Sequence, residues 1–577
     1  MKASKKRGFT IIELVIVIAV IAILAAVLIP TFANIIQKAN VANDVALARN
    51  MNTILIADEA TNGRSTDMYD VFIALEQGGF KLENLNPRAD GNVFAWDKAN
   101  NQIVYLEKGS AKPIFQAKEI GDNKGDLYIT TRKAEVFADY PGYSYYFASD
   151  ISGNITLDEG SCLDTGEFAL NGDVSVKTNK DVEIHGTING TITVDSASGK
   201  ITNYSVVKKV DIKNTAATSY HERGHVAAME IQNSLTGKVV LENDAYVDKL
   251  TNNKTSGKGT VENKGYVKAV DGSDTETVKP TTGTGYVLEI GTYDQLVNFR
   301  NKVNAGASYS GMTVKLTADI DISERAWTPI GAVYRRDINA KSSVFQGTFD
   351  GQGHKITGLT NTGFKISSVF SGGNDTTPEG YKEYVFGLFG SVYNATIKDI
   401  VMANVNIDLA CDEKEKVVGD SVGAIVGFAA GDKETGVTIE NCEVLSGSIV
   451  GYDAVAGIVG RSYSGKITIE NCKNAATVSA IRRACGILGY TNTSYIKDGG
   501  SAAITNCTNS GNVKQTCTPD TDPAGKENLS YYQVAGLAIC GGKDAVEITI
   551  TGSVNNGTIT LTANGKQDKT VLYSEKK

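Results

Sequence analysis

The most constraining feature is a 21-residue run from Phe9 to Ile29, FTIIELVIVIAVIAILAAVLI, apolar except for Thr10 and Glu13. At about 1.5 Å per residue a helix of this length spans roughly 31 Å, one bilayer hydrocarbon core. Lys2, Lys5, Lys6 and Arg7 precede it, so the positive-inside bias keeps the short N-terminus cytoplasmic and sends everything after about Pro30 outward. An ionised carboxylate in lipid costs about 2.5 kcal/mol or more unless it is compensated. Glu13 therefore calls for a cation. A cut between Gly8 and Phe9 would supply one, because the new N-terminal amine would lie one helical turn from Glu13.

Beyond Pro30 the chain is Ala-rich, with Ile35, Ile36, Ala39, Ala42, Val45 and Ala46 recurring every three or four positions. This pattern continues the helix to about Ala60, about 75 Å in all, where Asn62-Gly63 ends it. Ser65 to Phe80 reads as a short helix capped by Ser65 or Thr66 and stopped by Gly78-Gly79. Strands are expected near Asn92 to Trp96 and Gln102 to Glu107, so residues 61–150 form a small α+β head.

Residues 151–270 read as a β-solenoid, with a β-sandwich as the main rival. A strand ending in Asn recurs there as Val210 to Asn214, Met229 to Asn233, Val239 to Asn243 and Gly259 to Asn263, with an irregular period. Asp271 to Gly285 is polar and Thr/Gly-rich, the composition of a linker. Thr292 and Gln295 then offer a capping box for a helix to about Val303 that closes the open end of the next stack. From 286 to 577 the repetition is plainer. Val422 to Gly427 aligns with Val455 to Gly460 and Ala484 to Gly489, with Val385 to Gly390 and Ala535 to Leu537 as outer copies. Between them recur Ile439-Glu440-Asn441-Cys442, Ile469-Glu470-Asn471-Cys472 and Ile504-Thr505-Asn506-Cys507. A period near 30 with two strand signals per unit fits the coils of a parallel β-helix.

Two resemblances follow. Lys6-Arg7-Gly8-Phe9-Thr10-Ile11-Ile12-Glu13-Leu14 resembles the processing site of type IV prepilins and pseudopilins. The resemblance implies a prepilin peptidase/N-methyltransferase that removes residues 1–8 after Gly8 and methylates Phe9. It also implies that Glu13 pairs with the amine of a neighbouring subunit, that residues 9–60 are the membrane-spanning and amphipathic pilin helix, and that Pro30 stands where such helices often kink. The partners it implies are other pilin subunits, an assembly platform and the cytoplasmic membrane. The second resemblance, over residues 286–577, is to the GLUG-type repeats of bacterial surface proteins. The fold class expected is mainly β: a long N-terminal helix and small α+β head, followed by right-handed parallel β-helix or solenoid domains.

Composition narrows the function. The formal charge is −8, and loss of four leader cations takes the exported chain to about −12, which disfavours a nucleic-acid surface. Cys442, Cys472 and Cys507 share one phase of successive repeats, and Cys485 stands where other copies have Ala424 or Ala456. They read as buried free thiols rather than disulfides, and no C-x-x-C pair suggests a metal. His221-Glu222-Arg223-Gly224-His225 matches the H-E-x-x-H pattern, but Gly224 interrupts the helix that zinc binding requires, so His221, Glu222 and His225 are rejected as ligands in favour of a loop. His185 and His354 show no partner. Asp408, Asp412, Arg482 and Arg483 suggest a lyase-like site only weakly, because loop charges are usually solvated. No cofactor and no enzyme activity are expected. The expected role is a minor or tip pilin-like subunit on a surface filament, presenting its β-helix to an unknown surface, glycan or protein ligand. A pseudopilin of a secretion or DNA-uptake system and a non-polymerising anchored adhesin are the alternatives.

Overall fold

A computed structural model describes residues 11–81, 85–109, 113–131, 134–157, 162–195, 198–215, 219–255, 260–323, 325–331, 343–361, 371–372, 382–411, 417–491, 500–518, 532–540 and 546–562. The chain divides into two compact units, residues 1–242, 248–263 and 270–278 in the first and residues 243–247, 264–269 and 279–577 in the second. Strands predominate, in mostly parallel sheets, with one long N-terminal helix.

In the first unit, helix α1 (Ile11–Asn62) has 52 residues, about 78 Å, and runs unbroken through Pro30. Proline lacks the amide that would bond the preceding turn, and nearby Thr31 Oγ1 donates to the Val27 carbonyl at 2.8 Å. Beyond residue 40 one face turns inward. Asp44, Ala48, Met51, Asn52 and Leu55, three or four apart, are buried against the head. Helix α2 (Met68–Gln77) packs Val71, Phe72 and Leu75 into the same core as Trp96, Ile103 and Tyr105. Its cap is Asp67, not Ser65 or Thr66: the Asp67 carboxylate accepts from the Asp70 amide at 3.1 Å, while Thr66 donates to Asp70. Val93–Asp97 and Gln102–Leu106 form an antiparallel hairpin, and Leu127–Thr131 pairs along its other edge.

Ser144–Phe147 adds in parallel to Leu127–Thr131 and then itself pairs with Cys162–Asn171, so hydrogen bonding passes from head to coils without a break. The Asn-ending strands prove to belong to two ladders. Val206–Ile212 stacks on His225–Ile231, while Ser219–Glu222, Lys238–Leu241 and Thr260–Asn263 stack beside them. Each coil thus contributes two strands, and the apparent irregularity of the sequence period arises from counting both ladders as one. Within 271–285, the stretch expected as a linker, Val278 is buried and Asp274 closes its own turn on Glu276 and Thr277.

In the second unit the capping box opens helix α3 (Tyr293–Asn304): the Thr292 hydroxyl accepts from the Gln295 amide, and Gln295 Oε1 accepts from the Gly291 amide. Leu296, Phe299 and Val303 enter the core of the coils. Parallel ladders stack behind them in register, Val426 on Val459 on Leu488 and Ile439 on Ile469 on Ile504. In the outer copy Phe389 pairs with Val426 as aligned, while at its start Phe386 rather than Val385 pairs with Val422. Asn441, Asn471 and Asn506 turn the corners with φ of 52°, 52° and 54°, in the left-handed region. Their amides bond from coil to coil, Asn471 to Asn441 at 3.1 Å and Asn441 to Asp399 at 3.0 Å.

This ladder gives a graded expectation. Asn471→Ala should cost about 1–2 kcal/mol, from left-handed strain and a lost hydrogen bond, whereas Asn471→Gly keeps the backbone relaxed and should cost about half as much. Urea unfolding of the two variants beside the parent checks the order.

Candidate assembly rod and buried ionic cluster

The apolar half of α1 is exposed along its length, Ile11 at 81% and Ile29 at 67%, and among the described residues α1 is the one helix long and apolar enough to cross a membrane. Glu13 lies in its first turn, where the helix dipole favours an anion. Gly8 and Phe9 lie outside the described residues. Pro30 sits inside the rod.

The H-E-x-x-H segment is not the loop expected. Ser219–Glu222 and His225–Ile231 are strands, and Arg223-Gly224 is the corner between them. Gly224 is required by close approach, since a Cβ there would lie 2.0 Å from the Ser205 carbonyl. Glu222 is fully buried and saturated: it accepts from Asn203 Nδ2 at 3.0 Å, Tyr220 Oη at 2.6 Å and the Gly224 amide at 2.7 Å. The imidazoles turn to different carboxylates, His221 Nδ1 to Glu242 at 2.6 Å and His225 Nε2 to Asp248 at 2.9 Å. Two histidines four apart share a metal only on a helix face, and this backbone is extended. His185 and His354, read as partnerless, have contacts. His185 stacks on Tyr204 with ring centroids 4.5 Å apart and approaches Glu183, and His354 meets Asp319 at 3.2 Å.

Arg482 and Arg483 depart most from expectation. They are buried members of an ionic cluster rather than solvated loop charges. Asp412 lies outside the described residues, and Asp408 is on the strand Val405–Leu409 with an exposed side chain. Arg461, 2% exposed, reaches Asp420 at 3.1 Å, Asp453 at 2.8 Å and Ser421 Oγ at 3.0 Å. Arg483 holds the other oxygen of Asp453 at 2.5 Å and lies over Tyr490, while Arg482 lies over Tyr452. Burial alone would raise the Asp453 carboxyl, but Arg483, Arg461 and Arg482 outweigh it and hold the group well below the usual carboxylate range. Glu383, also fully buried, is pushed up to about 9, first by burial and then by the charge of Asp420. Sequence reasoning missed Glu383, Asp420, Asp453 and Arg461. The available signal was phase: Asp420, Asp453 and Arg482 each stand two residues before the aligned Val422, Val455 and Ala484.

Cys442, Cys472, Cys485 and Cys507 are buried free thiols, and Cys472 Sγ lies 3.3 Å from the Glu470 carbonyl in a contact that Cys442 and Cys507 repeat. Among the described residues no group of His, Cys, Asp and Glu is placed to hold a metal.

Comparison with known proteins bears on the rod. Residues 3–29 match the prokaryotic N-terminal methylation motif. The type IV major fimbrial protein FimA of Dichelobacter nodosus is 33% identical over 112 residues, 18% of this chain and 69% of that protein. FimA of Dichelobacter nodosus strain VCS1703A is 43% identical over 94 residues, 16% of this chain and 57% of that one. Among solved structures, a putative immunoglobulin A1 protease from Bacteroides ovatus matches 48% of this chain and 68% of that chain at 20% identity and a TM-score of 0.32.

The ionic cluster makes stability depend on pH. In the unfolded chain Glu383 titrates near 4.3, and in the fold it keeps its proton to about 9, so the folded form binds more protons between those values and stability falls as pH rises through them. Glu383→Gln should remove this slope and be more stable than the parent by a few kcal/mol at pH 8, with little difference at pH 4. Denaturant midpoints of both proteins in detergent from pH 4 to 9 check it.

Proposed function

The chain belongs to the type IV fimbrial protein family, and we propose that it is a minor or tip subunit of a surface filament, assembled through α1 and displaying its coils for adhesion. The observation that carries this reading is an exposed apolar rod with an acid in its first turn, joined to a helix-backed head, in a chain whose residues 3–29 match the methylation motif. In this reading a prepilin peptidase on the cytoplasmic side cuts after Gly8 and the new Phe9 amine is methylated. Glu13 then meets the amine of an adjoining subunit, an ion pair that compensates a carboxylate in a low-dielectric setting. Before assembly the chain sits in the cytoplasmic membrane by one helix, and afterwards it is extracellular.

The size of the coil-bearing region supports a minor or tip position, since packing such a mass around every subunit of a shaft would crowd it. Its exposed strand faces and GLUG-like repeats support presentation rather than catalysis, with a surface, glycan or protein as the ligand class. The chain's role is mechanical, and its chemistry is processing by the peptidase.

Two measurements test the proposal. Mass spectrometry of the mature protein should find a chain starting at methylated Phe9, and a chain still starting at Met1 overturns it. Glu13→Ala should lower incorporation into sheared filaments at least tenfold while the subunit still reaches the membrane. Wild-type incorporation of the variant would overturn the Glu13 ion pair, and a processed parent absent from sheared filaments would leave a plain anchored adhesin as the better account.

A further inference from the structure

α1 meets the head through an apolar face that contains two buried polar side chains. Asp44 is 1% exposed; its Oδ1 accepts from the Arg88 amide at 2.9 Å, and its Oδ2 accepts from the Ala89 amide at 2.9 Å and from Tyr105 Oη at 2.8 Å. Asn52, eight residues on, reads one residue of the central hairpin twice: its Oδ1 accepts from the Ile103 amide at 2.9 Å and its Nδ2 donates to the Ile103 carbonyl at 2.7 Å. Both residues lie on the stripe that otherwise buries Ala48, Met51 and Leu55.

Cohesion alone does not call for them. Apolar burial is non-directional, and a carboxylate withdrawn from water is no gain in stability over an apolar side chain of the same shape. Hydrogen bonds to fixed main-chain groups are directional, and two of them about 12 Å apart along the axis fix both rotation and height. A polar residue in an apolar helix interface has the same use where it sets register.

The rod makes that precision matter. From Asn40 back to Ile11 it projects about 45 Å beyond its last contacts with the head, so a tilt of about 10° at the head moves its far end by about 8 Å, a whole interhelical spacing. We propose that Asp44 and Asn52 are positioning residues for assembly, locking the head's angle and height on the rod so that rods of adjoining copies meet in register. This rests on the reading of the chain as an assembling subunit.

The experiment uses the full chain expressed with its peptidase and assembly machinery, and compares Asp44→Asn, Asn52→Leu and, as a loss of cohesion without loss of direction, Leu55→Ala. Leader removal, thermal midpoint of the purified subunit and the amount in sheared filaments are read for each. Asp44→Asn and Asn52→Leu should be processed normally yet fall at least tenfold in filaments, while Leu55→Ala, with an equal or larger drop in midpoint, stays within about threefold of the parent. Filament loss that simply tracks the midpoint across all three overturns the proposal, as does parental filament yield from both polar variants. A parent chain that is processed but absent from filaments fails the assembly reading itself, and the positioning role falls with it.

Discussion

An apolar cylinder about 30 Å long cannot rest in water, and the remainder of the chain is arranged around that fact. Residues 11–36 have no cover of their own, so they belong in lipid or against like helices. The second half of the same helix is covered by the head, which turns a membrane segment into a handle. Because one helix serves both environments, whatever fixes the head on that helix also fixes how the exposed half is presented.

The repeating part of the chain was legible because stacking leaves a periodic imprint. Val426, Val459 and Leu488, which share one position of the repeat, stand one above another, and so do Cys442, Cys472 and Cys507 with their shared carbonyl contacts. The Thr292 and Gln295 cap was equally readable, because its bonds are local and depend on spacing alone. The first solenoid was blurred for a related reason: two ladders per coil give two interleaved periods, which read as one irregular period.

What escaped the sequence is what depends on contacts between distant residues. Asp44 looks like one more polar residue in a half-exposed helix until Arg88, Ala89 and Tyr105 close on it. Arg461 reaches Asp420 across 41 positions, and nothing in either neighbourhood announces the other. The H-E-x-x-H string shows the opposite error, a local pattern whose meaning depends on helical backbone. Here the strands bury Glu222 under Tyr220 and Asn203, and the glycine serves a tight corner.

The coils of the second unit bond chiefly to their immediate neighbours, which makes them natural modules for gain and loss of gene segments about thirty codons long. The buried charges break that freedom locally. Asp420 comes from one turn, Asp453 and Arg461 from the next and Arg483 from a third, so deleting one turn strands its neighbour's charge in an apolar wall. Removing a turn within the block from Asp420 to Arg483 therefore costs more stability than removing one outside it.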